Sequence, residues 1–367
     1  MEFPEIEKLE EELSKVRATD DSLDLAKHLT AGFESQLMQT LSAEELSLGD
    51  LNTLVKRWGE LLIPAIRSAS NRIAGCTGFG LAENVVNNVV LRLLRIIRAE
   101  ALFICDAQQT MTVDSLLDEP IHRFLTGSAT TSSSDSQSAP PVENLEEALT
   151  EYGTELFSLR ENLGKRAAEF ARDPSLCSRV LVMGRSRSTG AFIKALSKYH
   201  SKCSTGAELN FIVAETGMFT TQASQVGSDA SAFVGDLKQL GLTEVETAED
   251  HLWYSMLVPR GHSPSTVRLV VITALAVLAD GSVLAVPGSW FLALSANRGA
   301  LPVVIVAPQY KLTPFFNVAN ASPRFDVIKP ELINFIVTDI GTFSPSSIPK
   351  AMTELYGLQN ASICFSP

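Results

Sequence analysis

The stretch "VLVMGRSRSTGAFIKAL", residues 180–196, carries the residue types best suited to chemistry in this chain. Four apolar residues, Val180, Leu181, Val182 and Met183, run into Gly184. Arg185, Ser186, Arg187, Ser188 and Thr189 follow, and then a segment with helical spacing. A strand that empties through a glycine and hydroxyl-rich turn into a helix is a common place for α/β proteins to hold a phosphate. Backbone N–H groups, Ser186, Ser188 and Thr189 would serve as donors, and Arg185 and Arg187 could hold an anion or a partner's acidic group. The same residues also make an ordinary helix cap, in which Ser and Thr satisfy the orphan N–H groups of the first turn. Neither GxGxxG nor GxxxxGK[ST] occurs, so the dinucleotide and nucleoside-triphosphate signatures are absent.

Two acids stand at the ends of other expected strands. Glu215 closes "NFIVAE" and Asp250 follows "VETAE". Each could act as a general acid or base, or as a cap or structural ion pair. His200, His251 and His262 show no metal-ligand spacing, and no GxSxG elbow or HExxH occurs. The five cysteines, Cys76, Cys105, Cys177, Cys203 and Cys364, form no CxxC pair. Scattered thiols of odd number suit reduced cysteines in the cytosol. Neither a metal nor a cofactor is expected.

The elements that must position these residues fall into two textures. Residues 1–175 are expected to form a helical domain. Its clearest helix is "LAENVVNNVVLRLLRIIRAEALFI", residues 81–104, with Val85, Val86, Val89, Val90, Leu93, Leu94 and Ile97 on one face. Asn84, Asn87, Asn88, Arg92, Arg95 and Arg98 fall mostly off that face. Arg92, Arg95 and Arg98 form a basic edge that either meets an acidic partner or is solvated beside Glu100. The stretch "TGSATTSSSDSQSAPP", about residues 126–141, is small and polar with two prolines, the composition of a flexible loop. Helical spacing returns over residues 142–171, on Leu145, Leu149, Tyr152, Leu156, Leu159 and Leu163.

From residue 176 to 367 short apolar runs alternate with helical patterns. The order is RVLVMG, AFIKALSKY, LNFIVAE, ASAFVGDLKQLG, RLVVITA, GSWFLALSANRG, LPVVIVAP. Runs rich in Val, Ile and Leu are strands buried on both faces, and their alternation with helices implies a parallel sheet with right-handed crossovers. The expected architecture is α/β: an N-terminal helical domain followed by a Rossmann-like, doubly wound parallel-sheet domain.

Composition narrows the function classes. The chain has 367 residues, 45% of them hydrophobic and 20% charged, with formal net charge −12. An acidic balance argues against direct nucleic-acid binding and against an anionic membrane. The start, MEFPEIEKLEEELSK, has neither the apolar run of a signal peptide nor the basic character of a transit peptide. The longest apolar stretch, about Leu269 to Ala279, is too short to span a bilayer. A soluble, cytosolic protein is the expectation.

Several motifs together resemble a known family. "VLVMGRSRSTGAFIKAL", "NFIVAET", "ED" before an apolar helix, "ADGSVLAVPGSWFLALSANRGALPVVIVAPQYKL", "SPRFDVIKPELINFIVTDIG" and "SPSSIPKAMTELY" stand in the order found in the regulatory subunits of eukaryotic translation initiation factor 2B. Methylthioribose-1-phosphate isomerase and ribose-1,5-bisphosphate isomerase share that superfamily. The resemblance covers residues 178–356, and "NNVVLRLLRIIRAE" extends it into the N-terminal half. Within the family, "GRSRSTGAFIKAL", "APQYKLTPFF" and "SIPKAMTELY" resemble the beta branch, with alpha and delta as near alternatives.

The departures decide what the resemblance implies. The isomerases carry a catalytic cysteine in the turn after the first strand, where this chain has Gly184-Arg185-Ser186-Arg187. A thiolate is a strong nucleophile near neutral pH and an unpaired serine is not. Their catalytic aspartate matches Asp250. Their Gly-Ala-Asp appears as Thr273-Ala274-Leu275, and their Asn-Lys as Ala285-Val286 before Pro287-Gly288-Ser289. The strand-end cleft is therefore expected to lack both the thiol and the ammonium, leaving Arg185, Ser186, Ser188, Thr189, Glu215 and Asp250 as a vestigial pocket.

The resemblance thus implies a non-catalytic regulatory subunit of the guanine nucleotide exchange factor for initiation factor 2, with exchange performed by the epsilon subunit. Its regulatory core would sense phosphorylation of the alpha subunit of initiation factor 2. Implied partners are the delta subunit most directly, also alpha, gamma and epsilon, and initiation factor 2 itself. "LPVVIVAPQYKLTPFF" and the tail "ELYGLQNASICF" are candidate contact surfaces, against burial in the chain's own core for the strand part. The alternatives are an active sugar-phosphate isomerase, of either type above, and a sensor that binds a sugar phosphate or nucleotide without turnover.

Overall fold

A computed structural model describes residues 142–172, 178–203, 209–215, 230–257, 267–314 and 325–356, and parts of 23–35 and 85–96. The expected loop at 126–141, the N-terminal stretch, Arg98, His262 and the tail beyond Tyr356 lie outside the described residues. Two compact units are present. One draws on residues 1–69, 85–157 and 355–367, and the other on 70–84 and 158–354.

The first unit is helical wherever it is described. Val85, Val89 and Leu93 are buried, as their spacing predicts, and so is Leu91. Asn88 departs from the expected polar side and is buried too. Helix α1, Val142–Ala171, begins in this unit and ends in the other. Its stripe of Leu149, Tyr152, Leu156, Leu159 and Leu163 is buried, which satisfies the helical periodicity over about four turns.

The second unit is built on a seven-stranded sheet. The strands are β1 (Arg179–Met183), β2 (Asn210–Ala214), β3 (Val245–Ala248), β4 (Leu269–Thr273), β7 (Val303–Val306), β9 (Phe335–Val337) and β10 (Thr342–Phe343). Their spatial order is β10-β9-β7-β4-β1-β2-β3. All neighbours are parallel except β10, which runs antiparallel to β9. Helices α2 (Arg187–Cys203), α3 (Ala230–Gln239), α4 (Asp250–Leu257) and α5 (Ser289–Arg298) connect the strands, and α6 (Ile348–Tyr356) follows them. The Rossmann-like, doubly wound sheet read from the alternating pattern is the observed fold.

Apolar composition explains the centre of the sheet. β4 and β7 are buried at every position, as strands covered on both faces must be. The edge strand β3 buries only its ends, and its Glu246 pairs at 3.5 Å with Arg179 of β1, two strands away in the same sheet. The stretch 303–313 is buried, so "LPVVIVAPQYKLT" is core and its candidacy as a contact surface is withdrawn. Fully buried Phe192, Phe211, Phe233 and Trp253 anchor helices to the sheet; each such side chain contributes about 1.5–3 kcal/mol on leaving water.

A second sheet was not legible in the sequence. β5 (Ala276–Val277), β6 (Val283–Ala285) and β8 (Asp326–Ile328) form a three-stranded antiparallel sheet in the order β5-β6-β8. The apolar run about Leu269–Ala279 therefore splits between two sheets. Two- and three-residue strands carry too few positions to show a period of two. The turn into β6 holds Gly281 at φ +84, and a Cβ there would lie 2.5 Å from the Pro345 carbonyl oxygen. Gly281→Ala should therefore destabilise the chain by about 1–3 kcal/mol in denaturant titration, through a left-handed backbone and a backbone clash together.

Candidate functional site

In a doubly wound sheet, ligand crevices lie at the carboxyl ends of the strands where the strand order reverses. Here β2 and β3 extend the sheet to one side of β1, and β4, β7 and β9 to the other. The switch point is the β1–β4 junction. It is occupied by the Gly184 turn and by Thr273, the last residue of β4.

Among the described residues, the groups at this point bond to one another. Gly184 has φ +89, and a Cβ on it would lie 2.9 Å from the Thr273 Cβ. Thr273 Oγ1 donates to the Gly184 carbonyl at 2.8 Å. Thr189 Oγ1 lies 2.8 Å from Thr273 Oγ1. A hydroxyl has one proton, and that of Thr273 goes to Gly184, so Thr189 is the donor in its pair. Thr189 is fully buried and Ser188 and Thr273 nearly so.

The remaining turn residues are engaged as well. Ser186 Oγ accepts from the Ser188 N–H at 3.2 Å, and the Ser186 carbonyl accepts from the Gly190 N–H at 2.9 Å. Ser186 is thus the N-cap of α2. Arg185 Nε donates to Asp236 Oδ2 on α3 at 2.8 Å, with Nη2 3.5 Å from Oδ1. Of the two acids, Glu215 is half-buried after β2, and its carbonyl accepts from Trp253 Nε1 at 3.3 Å. Asp250 opens α4 after β3. Both belong to the carboxyl edge of the sheet, on the β2–β3 side.

Three groups escaped the sequence reading. Lys311, in a short 3-10 turn after β7, is buried and its Nζ donates to the Ala274 carbonyl at 2.8 Å. The isomerases' lysine position is Val286 here, but a different lysine nitrogen, that of position 311, stands beside the end of β4 and donates to backbone there. Asp339, buried after β9, accepts from the Gln309 N–H at 2.7 Å. Asp326 on β8 accepts from the Trp290 N–H at 2.9 Å, so a carboxylate of the chain itself caps the positive end of α5. Gly288, which precedes α5 at φ 92, supplies no side-chain cap. A lysine inside the apolar run "VVIVAPQYKL" was the one signal for Lys311; the two aspartates carry none.

The basic edge on the helical unit is partly committed. Arg92 Nη1 donates to the Leu355 carbonyl at 3.2 Å, Nη2 lies 4.0 Å from Glu155, and the guanidinium sits 5.8 Å from the Tyr152 ring centre. Arg95 is half-buried.

Against this geometry the comparisons with known proteins are specific. Residues 260–322 match the model of the Initiation factor 2 subunit family. Translation initiation factor eIF2B subunit beta of Dictyostelium discoideum is 24% identical over 240 residues, covering 57% of this chain and 54% of its own length. The crystal structure of eIF2B beta from Chaetomium thermophilum superposes with a TM-score of 0.63 at 18% identity, covering 97% of this chain and 92% of that one. The chain is similar to the beta subunits of initiation factor 2B. The tetrameric eIF2B beta2-delta2 complex from the same fungus gives a TM-score of 0.54 at 17% identity, covering 96% of this chain and 94% of that one. Ribose 1,5-bisphosphate isomerase of Haloferax volcanii is 32% identical over a shorter stretch, 24% of this chain and 35% of its length. The chain spans about half or less of these two curated relatives. Beta-type resemblance and isomerase resemblance thus meet on one scaffold.

The strand-end turn predicts its own measurement. Thr273→Val keeps the volume and removes the hydroxyl, leaving the buried Gly184 carbonyl without its donor and Thr189 without its acceptor. A loss of about 1–3 kcal/mol in unfolding free energy is expected. A loss below about 0.5 kcal/mol would show that the hydroxyl chain does not hold the turn.

Proposed function

We propose that this chain is a non-catalytic regulatory subunit of the guanine nucleotide exchange factor for initiation factor 2, acting in the cytosol. The observation that carries the reading is the closed switch point: Thr273 packs on Gly184 and spends its hydroxyl on the carbonyl there. The hydroxyls, the Arg185 guanidinium and the Lys311 nitrogen that could meet a sugar phosphate are turned onto the chain's own groups. The turn residues Gly184, Arg185, Ser186 and Arg187 supply no thiol nucleophile.

A chain that no longer works on a small molecule should expose surface for a partner. Of the large apolar side chains exposed among the described residues, Leu252, Tyr254, Trp290 and Val327 gather on α4, α5 and β8. Tyr254 stacks on Phe291 of α5 at 5.5 Å and 15°, and α5 packs on β8, so the three elements adjoin one another, and we take them as one docking face. An exposed tryptophan on elements that also expose Leu252, Tyr254 and Val327 has the residue type favoured at binding hot spots. The proposed occupant is a delta-type subunit, consistent with a fold relative that forms a beta2-delta2 tetramer. Contacts with alpha, gamma and epsilon subunits, and the sensing of phosphorylated initiation factor 2 alpha, belong to the same proposal.

The second reading, a sugar-phosphate isomerase, is favoured by the likeness to the Haloferax volcanii isomerase. Purification of the full chain from its own cells separates the two. Co-elution with the other four subunits, exchange activity in that fraction and no turnover of ribose-1,5-bisphosphate or methylthioribose-1-phosphate are expected. Turnover by the isolated chain would install the isomerase instead. Trp290→Asp should lower affinity for the delta-type subunit at least about tenfold, read by analytical ultracentrifugation, with the melting temperature little changed.

A further inference from the structure

The Gly184 turn belongs to the large sheet and β8 to the small one; α5 packs on both, Ser289 Oγ at its start donates to Met183 Sδ at 3.3 Å, and the buried Lys311 side chain adds a tie where the chain crosses between the sheets. Ala274 is the residue at which the chain leaves the large sheet for the small one. Its N–H donates to the Val306 carbonyl on β7 at 3.1 Å, so it still belongs to the large sheet. The N–H of Leu275 donates to the Leu284 carbonyl on β6 at 2.8 Å, so the next residue already belongs to the small sheet. The Ala274 carbonyl accepts from Lys311 Nζ. A buried lysine is costly unless its N–H groups are satisfied, so its placement here needs a reason.

The turn that bears Lys311 is itself tied at both ends. On one side the Gln309 N–H donates to Asp339, which follows β9 of the large sheet. On the other the Thr313 N–H donates to the Val277 carbonyl at 2.8 Å, and Leu312 bridges to Val277 of β5 in parallel. From β5 the register runs through Val277↔Val283 to β6, and through Ala285↔Asp326 to β8. Asp326 then accepts from the Trp290 N–H at the start of α5. Trp290 and Val327 lie at the end of this connected series.

We propose that Lys311 is a positioning residue for the α4–α5–β8 face: it fixes the crossing between the sheets and so sets where β8 and Trp290 stand. Its meaning for assembly rests on the docking reading above, whereas its mechanical role does not. Lys311→Met keeps the aliphatic stem and removes the donor. Amide hydrogen exchange on the full chain should then speed up by about tenfold or more at Leu275, at 283–285 and at Trp290, while β1, β2 and β3 keep their protection. Affinity for the delta-type subunit should fall about tenfold, and that fall should vanish in a Trp290→Ala background. Unchanged exchange at Trp290, or an equal rise in both sheets, would overturn the proposal, since simple destabilisation has no preferred location. Should Trp290→Ala leave association untouched while the exchange stays localised, the docking reading fails and the strut stands. If Lys311→Met does not fold, Lys311→Gln, which retains an N–H donor, should fold and confine faster exchange to the same amides; uniform exchange there counts equally against it.

Discussion

The hydrogen bond from Thr273 to the Gly184 carbonyl is the interaction on which the rest of the reading depends. A doubly wound sheet leaves a gap where its strand order reverses, because the connections on either side diverge. That gap is the natural seat of a ligand. In this chain the β-branched Thr273 brings its Cβ and hydroxyl against residue 184, and that approach is open only because residue 184 is a glycine at positive φ. The glycine needed for tight turns in ligand-binding relatives of this fold here admits a side chain of the protein itself.

Once the gap is closed, the polar groups around it need other partners. Ser186 caps α2, Arg185 takes Asp236, Lys311 takes a backbone carbonyl, and Asp326 supplies the negative charge that the start of α5 favours. Ser186, Arg185 and Lys311 could each have met an anion, and Asp326 takes the place an anion could hold at the start of α5; all four have partners within the chain. Of this set Lys311 is buried, and a buried polar group that is satisfied in this way stiffens its surroundings and specifies one arrangement of them. Stiffness of that kind suits a subunit that must hold a face in register for a partner more than an enzyme that must open and close.

Much of this was written in the sequence, and what was not had a physical reason. The buried strands announced themselves because β1, β4 and β7 are continuous Val, Ile, Leu and Met runs. The stripe of α1 was legible at its helical period, and Ser186 as a cap was legible from its place between glycine and helix. Thr273 could be seen as a departure from the isomerases but not as a plug, since that role needs the distance between two strands. Asp236, Asp326 and Asp339 act across 51, 36 and 30 residues of chain, where no local pattern reaches. Asn88 was misplaced because a buried amide with a partner looks, in sequence, like any exposed one.

The small sheet sharpens the contrast between catalysis and docking. β8 is an edge of that sheet, and it carries the exposed Val327 beside the α5 residue that Asp326 caps. An edge strand next to an exposed tryptophan is a liability for a chain that stays alone, because open backbone and apolar surface both invite association. Its charges are of no help as gatekeepers: Asp326 spends its carboxylate on the helix start instead of guarding the edge. Under the proposed function, such a face is what a chain with a permanent neighbour would keep. Closure of the switch point and exposure of the α4–α5–β8 face are, on this view, two consequences of one exchange of a small ligand for a protein one.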